Sequence, residues 1–215
     1  MQPWIVATLV LVALLVAAEA AGSQAAKWVA KPLASTGFIL TALAAGARET
    51  SWGRLVLAGL MLGWLGDVLL IPKGSRSAFL AGLGSFLLGH LAFAISFLQR
   101  GVSIAWLLPA AALMVGPALA SWAWLRDRVP AEMSVPVRAY VSVISTMVAC
   151  AFGTFGHAPN AALLLGAVMF AVSDVAVARE RFVAPGFANQ LWGLPLYYGG
   201  QLLLAASTAF GISAA

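Results

Sequence analysis

Eight apolar runs, each close to the length that crosses a lipid bilayer, follow one another along this chain with only short polar breaks between them. They cover roughly residues 4–21, 28–46, 55–71, 78–98, 103–124, 137–155, 160–178 and 189–210. A helix spanning the hydrocarbon core needs about 20 mostly apolar residues. Breaks such as Arg48-Glu49-Thr50-Ser51, Pro72-Lys73-Gly74-Ser75-Arg76 and Arg179-Glu180-Arg181 leave no room for a soluble domain. The sequence therefore predicts an all-α fold, a polytopic membrane bundle of eight transmembrane helices forming a single domain over 1–215. Composition points the same way, with 62% of the 215 residues hydrophobic and 9% charged. So few charges cannot cover a water-facing surface, and lipid must be the solvent for most of this one.

The net charge of +5 does not imply nucleic acid, because the cations stand singly or in pairs between apolar runs. Cys150, the single cysteine, lies inside one of these runs, so neither a disulfide frame nor a thiolate zinc cluster is available. Ala18-Glu19-Ala20 resembles a signal-peptidase site, but no basic stretch precedes the first run, which is expected to be a retained helix.

Sorting the cations by connection sets a direction. Lys27, Lys31, Lys73, Arg76, Arg126, Arg128, Arg138, Arg179 and Arg181 lie at the first, third, fifth and seventh connections, and Arg48, Arg54 and Arg100 lie on the other side. Nine against three places the odd-numbered connections in the cytoplasm and both termini outside. The expected location is a bacterial inner membrane. Trp4, Trp28, Trp52, Trp106, Trp122, Trp124 and Trp192 fall near predicted span ends, as an interfacial belt requires.

A shift of 107 residues superimposes the two halves without a gap. It pairs Leu57, Gly59, Asp67 and Val68 with Leu164, Gly166, Asp174 and Val175, and also Lys31 with Arg138, Ser35 with Ser142 and His90 with Tyr197. Leucine and glycine matches come easily in so apolar a chain; matched intramembrane aspartates and cations do not. The pattern suggests a parallel repeat of 1–107 and 108–215.

An ionisable side chain inside the membrane costs at least about 2.5 kcal/mol, and each one calls for a reason. Glu19, Lys31, Asp67, His90, Arg138, Asp174, Tyr197, Tyr198 and Gln201 all fall at mid-depth or on the predicted cytoplasmic side. That one-sidedness is what a polar cavity open to the cytoplasm would produce. Each residue also has a plainer reading. Asp67 and Asp174 could be structural carboxylates neutralised by Lys31 and Arg138, His90 a helix contact, and the tyrosines packing residues. Known catalytic layouts are missing: there is no G-x-S-x-G and no H-E-x-x-H, and two histidines cannot build a His-rich zinc site. Asp67, His90 and Asp174 remain the one set able to hold a metal, and none is expected.

Five short motifs in order resemble the YhhN-like family of membrane proteins, which includes lysoplasmalogenases. They are Lys31-Pro32, Leu65-Gly66-Asp67, Phe86-x-x-Gly89-His90-Leu91, Ser173-Asp174 and Tyr197-Tyr198-x-x-Gln201. Phe93 stands where the family leads one to expect tyrosine, so a phenolic hydrogen bond near His90 is expected to be missing. The resemblance implies hydrolysis of the vinyl ether of a lysoplasmalogen to a fatty aldehyde and a glycerophospho-choline or -ethanolamine, with no cofactor. That chemistry protonates the outer alkene carbon and then adds water to the oxocarbenium ion. Asp67, Asp174 and His90 would carry it, two carboxyls dividing the acid and charge-stabilising roles. Lys31 and Arg138 would hold the phosphate, with Tyr197, Tyr198, Gln201, Glu19 and Ser173 completing the binding site. The implied partners are a lysophospholipid substrate and membrane lipid, not nucleic acid. A lipid or small-solute transporter and a non-catalytic lipid-binding protein are the alternatives from other classes.

Overall fold

A computed structural model of the chain describes residues 1–72 and 74–211, and Lys73, one of the third connection's cations, lies outside the described residues. Among the described residues the regular elements are α1 (Gln2–Ala20), α2 (Gln24–Ala44), α3 (Ser51–Leu69), α4 (Arg76–Arg100), α5 (Ile104–Leu125), α6 (Ser134–His157), α7 (Ala161–Phe182) and α8 (Phe187–Ser207), with 3-10 turns at Ala131–Met133 and Thr208–Gly211. Most of the helices begin a few residues before the predicted runs, because capping and first-turn residues are polar. Ser23, Thr50, Ser75 and Asn160 each accept a backbone N–H from three residues on, satisfying a donor that has no partner within the helix. Gly101, at φ +104°, ends α4 in a conformation that side chains disfavour and turns the chain into α5.

Six of the eight helices are long and apolar enough to cross a membrane by themselves. The other two, α2 and α8, are of similar length but carry Lys27, Lys31 and Ser35, and Asn189, Tyr197, Tyr198 and Gln201. These polar groups face protein: Lys27, Ser35, Asn189, Tyr198 and Gln201 are all buried. The chain is an integral, multi-pass membrane protein.

Consecutive helices pair first, α1 with α2, α3 with α4, α5 with α6 and α7 with α8. The pairs then join through α2–α3, α6–α7, α4–α6 and α2–α8. A shift of 107 residues carries α1–α2 onto α5–α6, α3–α4 onto α7–α8, α2–α3 onto α6–α7 and α4–α6 onto α8–α2. These four joining contacts map onto one another under that shift, whereas α1 also packs on α8 with no α4–α5 contact of comparable extent among the described residues. At the centre, Phe38, Leu60, Phe93, Met147, Phe170, Tyr198 and Leu204 are sealed from solvent. Outward-facing Val6, Leu9, Leu14, Leu108, Leu113, Leu119 and Leu165 present apolar surface to lipid. Helix α5 is the most peripheral, with only Ala110 and Leu125 buried.

Candidate active site

Asp67 lies in the last turn of α3, where it is buried against α2 and α8. Lys31 Nζ of α2 is 3.2 Å from its Oδ1, while the hydroxyls of Ser35 (2.6 Å) and Tyr197 (2.7 Å) donate to Oδ2. Ser35 sits one turn beyond Lys31, so one face of α2 presents both a cation and a hydroxyl to the same carboxylate. Tyr198 stands behind them, 3.1 Å from the Ser35 hydroxyl and 3.3 Å from the Lys31 carbonyl, to which it donates. Donors on both oxygens match a carboxylate acting as a pure acceptor.

Asp174, in the lower part of α7, has a different set of partners. The Tyr140 hydroxyl of α6 donates to Oδ2 over 2.8 Å, and His90 Nε2 of α4 lies 3.2 Å from the same oxygen. His90 Nε2 and Tyr140 Oη are themselves 3.0 Å apart, closing a triangle. The phenol has one hydrogen and gives it to Asp174, so both His90 contacts require the ring proton on Nε2. The other ring nitrogen, Nδ1, is buried and meets no hydrogen-bond partner among the described residues. Tyr140 was not singled out from the sequence, and it supplies the phenol that Phe93 lacks; the expectation of a missing phenolic bond at His90 is therefore corrected. Phe93 instead fills the space over Gly59, where a Cβ would come within 2.8 Å of its ring.

Both clusters border one cavity of about 670 Å³. Glu19, Lys27, Lys31, Asp67, Tyr140, Ser173, Asp174 and Tyr197 form its polar wall, and α5, α6 and α7 contribute apolar residues such as Met114, Pro117, Ile144, Val148 and Val168. Ile71, Pro72, Ser75 and Phe182 place one end of the cavity beside the third and seventh connections. The Asp174 side chain keeps 15% exposure and that of Asp67 only 3%, so Asp174 is the more open carboxyl. A single ring, Phe170, touches both clusters, with its centroid 4.4 Å from that of His90 and 5.4 Å from that of Tyr197.

The remaining expected residues are scattered. Glu19 pairs with Lys27 over 2.8 Å at the cavity wall. Gln201 is buried, and its amide lies with the Tyr197 hydroxyl against Gly63 without a well-formed hydrogen bond. Ser173 lines the cavity but donates to the Phe170 carbonyl of its own helix. Arg138 is exposed and outside the cavity wall, its guanidinium 5.2 Å from the centroid of the Trp122 ring. The structure thus does not bring it to Asp174 or to the cavity lining. Ser142, the shift partner of Ser35, is likewise exposed, and its hydroxyl donates to the Arg138 carbonyl of its own helix. Asp67, His90 and Asp174 do not converge as one ligand set, since His90 meets Asp174 alone, and no metal-holding group of three appears among the described residues.

Comparison with known proteins gives this arrangement a family. A protein of Mycobacterium tuberculosis (strain CDC 1551 / Oshkosh) named lysoplasmalogenase is 30% identical over 175 residues, or 76% of this chain and 62% of the relative. A Mycobacterium bovis protein of the same name matches to the same extent, so the chain spans less than two thirds of the length of these relatives. An Escherichia coli O157:H7 protein named uncharacterized membrane protein YhhN is 29% identical over 186 residues, 84% of this chain and 86% of the relative. No solved structure matches the chain. The model of the YhhN family covers residues 26–208, and hence all but the first two residues of α2, every helix from α3 to α8 and both aspartate clusters. The chain belongs to the YhhN family.

Proposed function

We propose that this protein is a lysoplasmalogenase-like hydrolase that cleaves the vinyl ether of a lysophospholipid held in the inter-helix cavity. One observation carries the reading: two intramembrane carboxyls, each with its own hydrogen-bonded partners, open into one cavity whose wall is mostly apolar. The name borne by the mycobacterial relatives supports the same substrate class.

The chemistry can be divided between the two clusters. Asp174, the more open carboxyl, acts as the acid that protonates the outer alkene carbon. Its Oδ2 is anchored by Tyr140 and His90, which fixes the carboxyl plane toward the cavity and gives the proton a route back after each turnover. The oxocarbenium ion that forms carries positive charge. Asp67, acceptor of three donors and neutralised in the ground state by Lys31, provides a fixed negative group in a low-dielectric setting where it counts for most. Water adds to the cation, and the hemiacetal collapses to a fatty aldehyde and the glycerophospho-alcohol. The aldehyde's chain lies along α5, α6 and α7. One carboxyl in each half, partnered in part from the other half, is also what a duplicated four-helix unit with divided duties would contain, and we read 1–107 and 108–215 as such a pair.

Purified protein in detergent, incubated with a lysoplasmalogen, should release one fatty aldehyde per lipid consumed. Lipid recovered unchanged at an enzyme-to-substrate ratio near unity overturns the hydrolase. Retained binding under those conditions would leave a lipid-binding protein, and vesicle uptake without cleavage a transporter.

A further inference from the structure

Four charges stand in sequence along the cavity wall: Asp67, Lys31, Lys27 and Glu19. Lys31 holds Asp67 at 3.2 Å, and one helical turn toward the first connection Lys27 holds Glu19 at 2.8 Å. Lys27 and Lys31 are four residues apart on α2, so their Cα atoms lie on the same face about 6 Å apart along the axis. The Lys27–Glu19 pair is enclosed, its side chains 5% and 15% exposed, and both groups border the cavity. Enclosed ion pairs seldom stabilise a fold beyond what an apolar pair would, because desolvation offsets their attraction. Another acid on the wall, Glu180, is differently used, its carboxylate accepting from the Gly186 N–H and the Asn189 amide at the start of α8.

We infer that Glu19, Lys27 and Lys31 form the head-group site, with Lys31 and Lys27 taking the phosphate and Glu19 the amine, and that the site selects a primary ammonium over a trimethylammonium. The assignment rests on the hydrolase reading for where the lipid lies. With the vinyl ether between Asp67 and Asp174, the glycerol carries the phosphate away from Asp67, past Lys31 toward Lys27. The aminoethyl arm continues in the same direction and ends at Glu19. A zwitterion entering this row exchanges partners without changing the net charge of the wall, since phosphate replaces Glu19 on Lys27 and ammonium replaces Lys27 on Glu19. Selectivity follows from the acceptor. A carboxylate gains short, charge-assisted hydrogen bonds from an NH₃⁺ group, whereas a trimethylammonium has no N–H to give. The family match begins at residue 26, so Glu19 lies outside it.

The test compares ethanolamine and choline lysoplasmalogens as substrates, together with their saturated-ether analogues as equilibrium-binding probes. The saturated ether has no alkene to protonate and reports binding alone. Wild-type protein should favour the ethanolamine form about tenfold in KM and in the binding constant, with kcat little changed. Glu19→Gln should erase the preference by weakening the ethanolamine form. Because that variant leaves Lys27 uncompensated, the charge-neutral pair Glu19→Gln with Lys27→Gln serves as the second variant, and it too should lose the preference. Equal handling of the two head groups by the wild type, or a preference that survives the double substitution, overturns the head-group assignment. Head-group-selective binding without aldehyde release would instead overturn the hydrolase and leave this site standing.

Discussion

A carboxylate inside a bilayer survives only with partners, and the partners of Asp67 and Asp174 determine what each can do. Asp67 has an ammonium and two hydroxyls; Asp174 has a phenol and an imidazole. Asp67→Asn and Asp174→Asn should each reduce aldehyde release about 10²–10⁴-fold in folded, membrane-inserted protein. An amide keeps the shape but neither donates an acidic proton nor carries negative charge. Near-normal rates in both variants at equal expression would refute the two-carboxyl mechanism. Tyr140→Phe is subtler, since it keeps the ring against His90 and deletes only the hydroxyl that anchors Asp174. It should lower kcat about tenfold and leave KM nearly unchanged, the pattern of an interaction felt after binding; a KM effect alone would make Tyr140 a binding residue. The sequence held a usable sign of Tyr140. The chain has only three tyrosines among its many aromatic residues, and a phenol in an apolar span needs a partner. All three lie in the two clusters. The 107-residue shift could not point to it, because its counterpart is Leu33.

Helix positions were largely legible, since span length and polar breaks fix them to within a few residues, whereas the closeness of helix packing was not. Between lipid-solvated helices there is little hydrophobic drive, and small residues decide how near two backbones come. Helices α7 and α8 meet through Gly166 and Gly200, where a Cβ on Gly200 would lie 2.9 Å from the Gly166 carbonyl oxygen and 3.0 Å from the Phe170 nitrogen. These obstacles are backbone and cannot rotate away. Gly200→Ala should therefore push the helices apart and cost about 1–3 kcal/mol, read as a fall in melting temperature in detergent. Its neighbour Gly199 offers a control, because a Cβ there meets only the terminal methyl of Met169, which can move. Gly199→Ala should melt near the wild-type temperature; equal losses from the two substitutions would discount the close backbone contact. The same reasoning explains why α2 and α8 were recognisable as spans despite their polarity. Their polar residues fall on the inward faces, leaving Val29, Leu33 and Leu191 for the lipid side.

At the scale of the molecule, the two halves exchange partners across the bundle. Asp67 of the first half meets Tyr197 of the second, and Asp174 of the second meets His90 of the first. Since Asp174 is the shift partner of Asp67 and Tyr197 that of His90, the 107-residue shift carries one contact onto the other. The sequence displayed the matched residues but not the crossing, which appears only once α4 packs on α6 and α2 on α8. The same assembly refines the argument for orientation. Lys27 and Lys31 turn into the cavity instead of snorkelling to the bilayer surface. Among the described residues the exposed cations at the odd-numbered connections are Arg76, Arg126, Arg128, Arg138, Arg179 and Arg181, against Arg48 and Arg54 on the other side, where Arg100 is half-buried over Trp52. The bias keeps its sign, so the odd-numbered connections, and with them the polar end of the cavity, are expected in the cytoplasm. Cysteine labelling decides this directly, because the native Cys150 is buried and should stay silent toward a membrane-impermeant maleimide. Exposed Asp127, between α5 and α6, and exposed Glu49, between α2 and α3, report opposite sides. In cells with an intact inner membrane, Glu49→Cys should label at once and Asp127→Cys only after permeabilisation. The reverse pattern would invert the protein and place the mouth of the cavity in the outer leaflet, where the lipid would have to enter from outside.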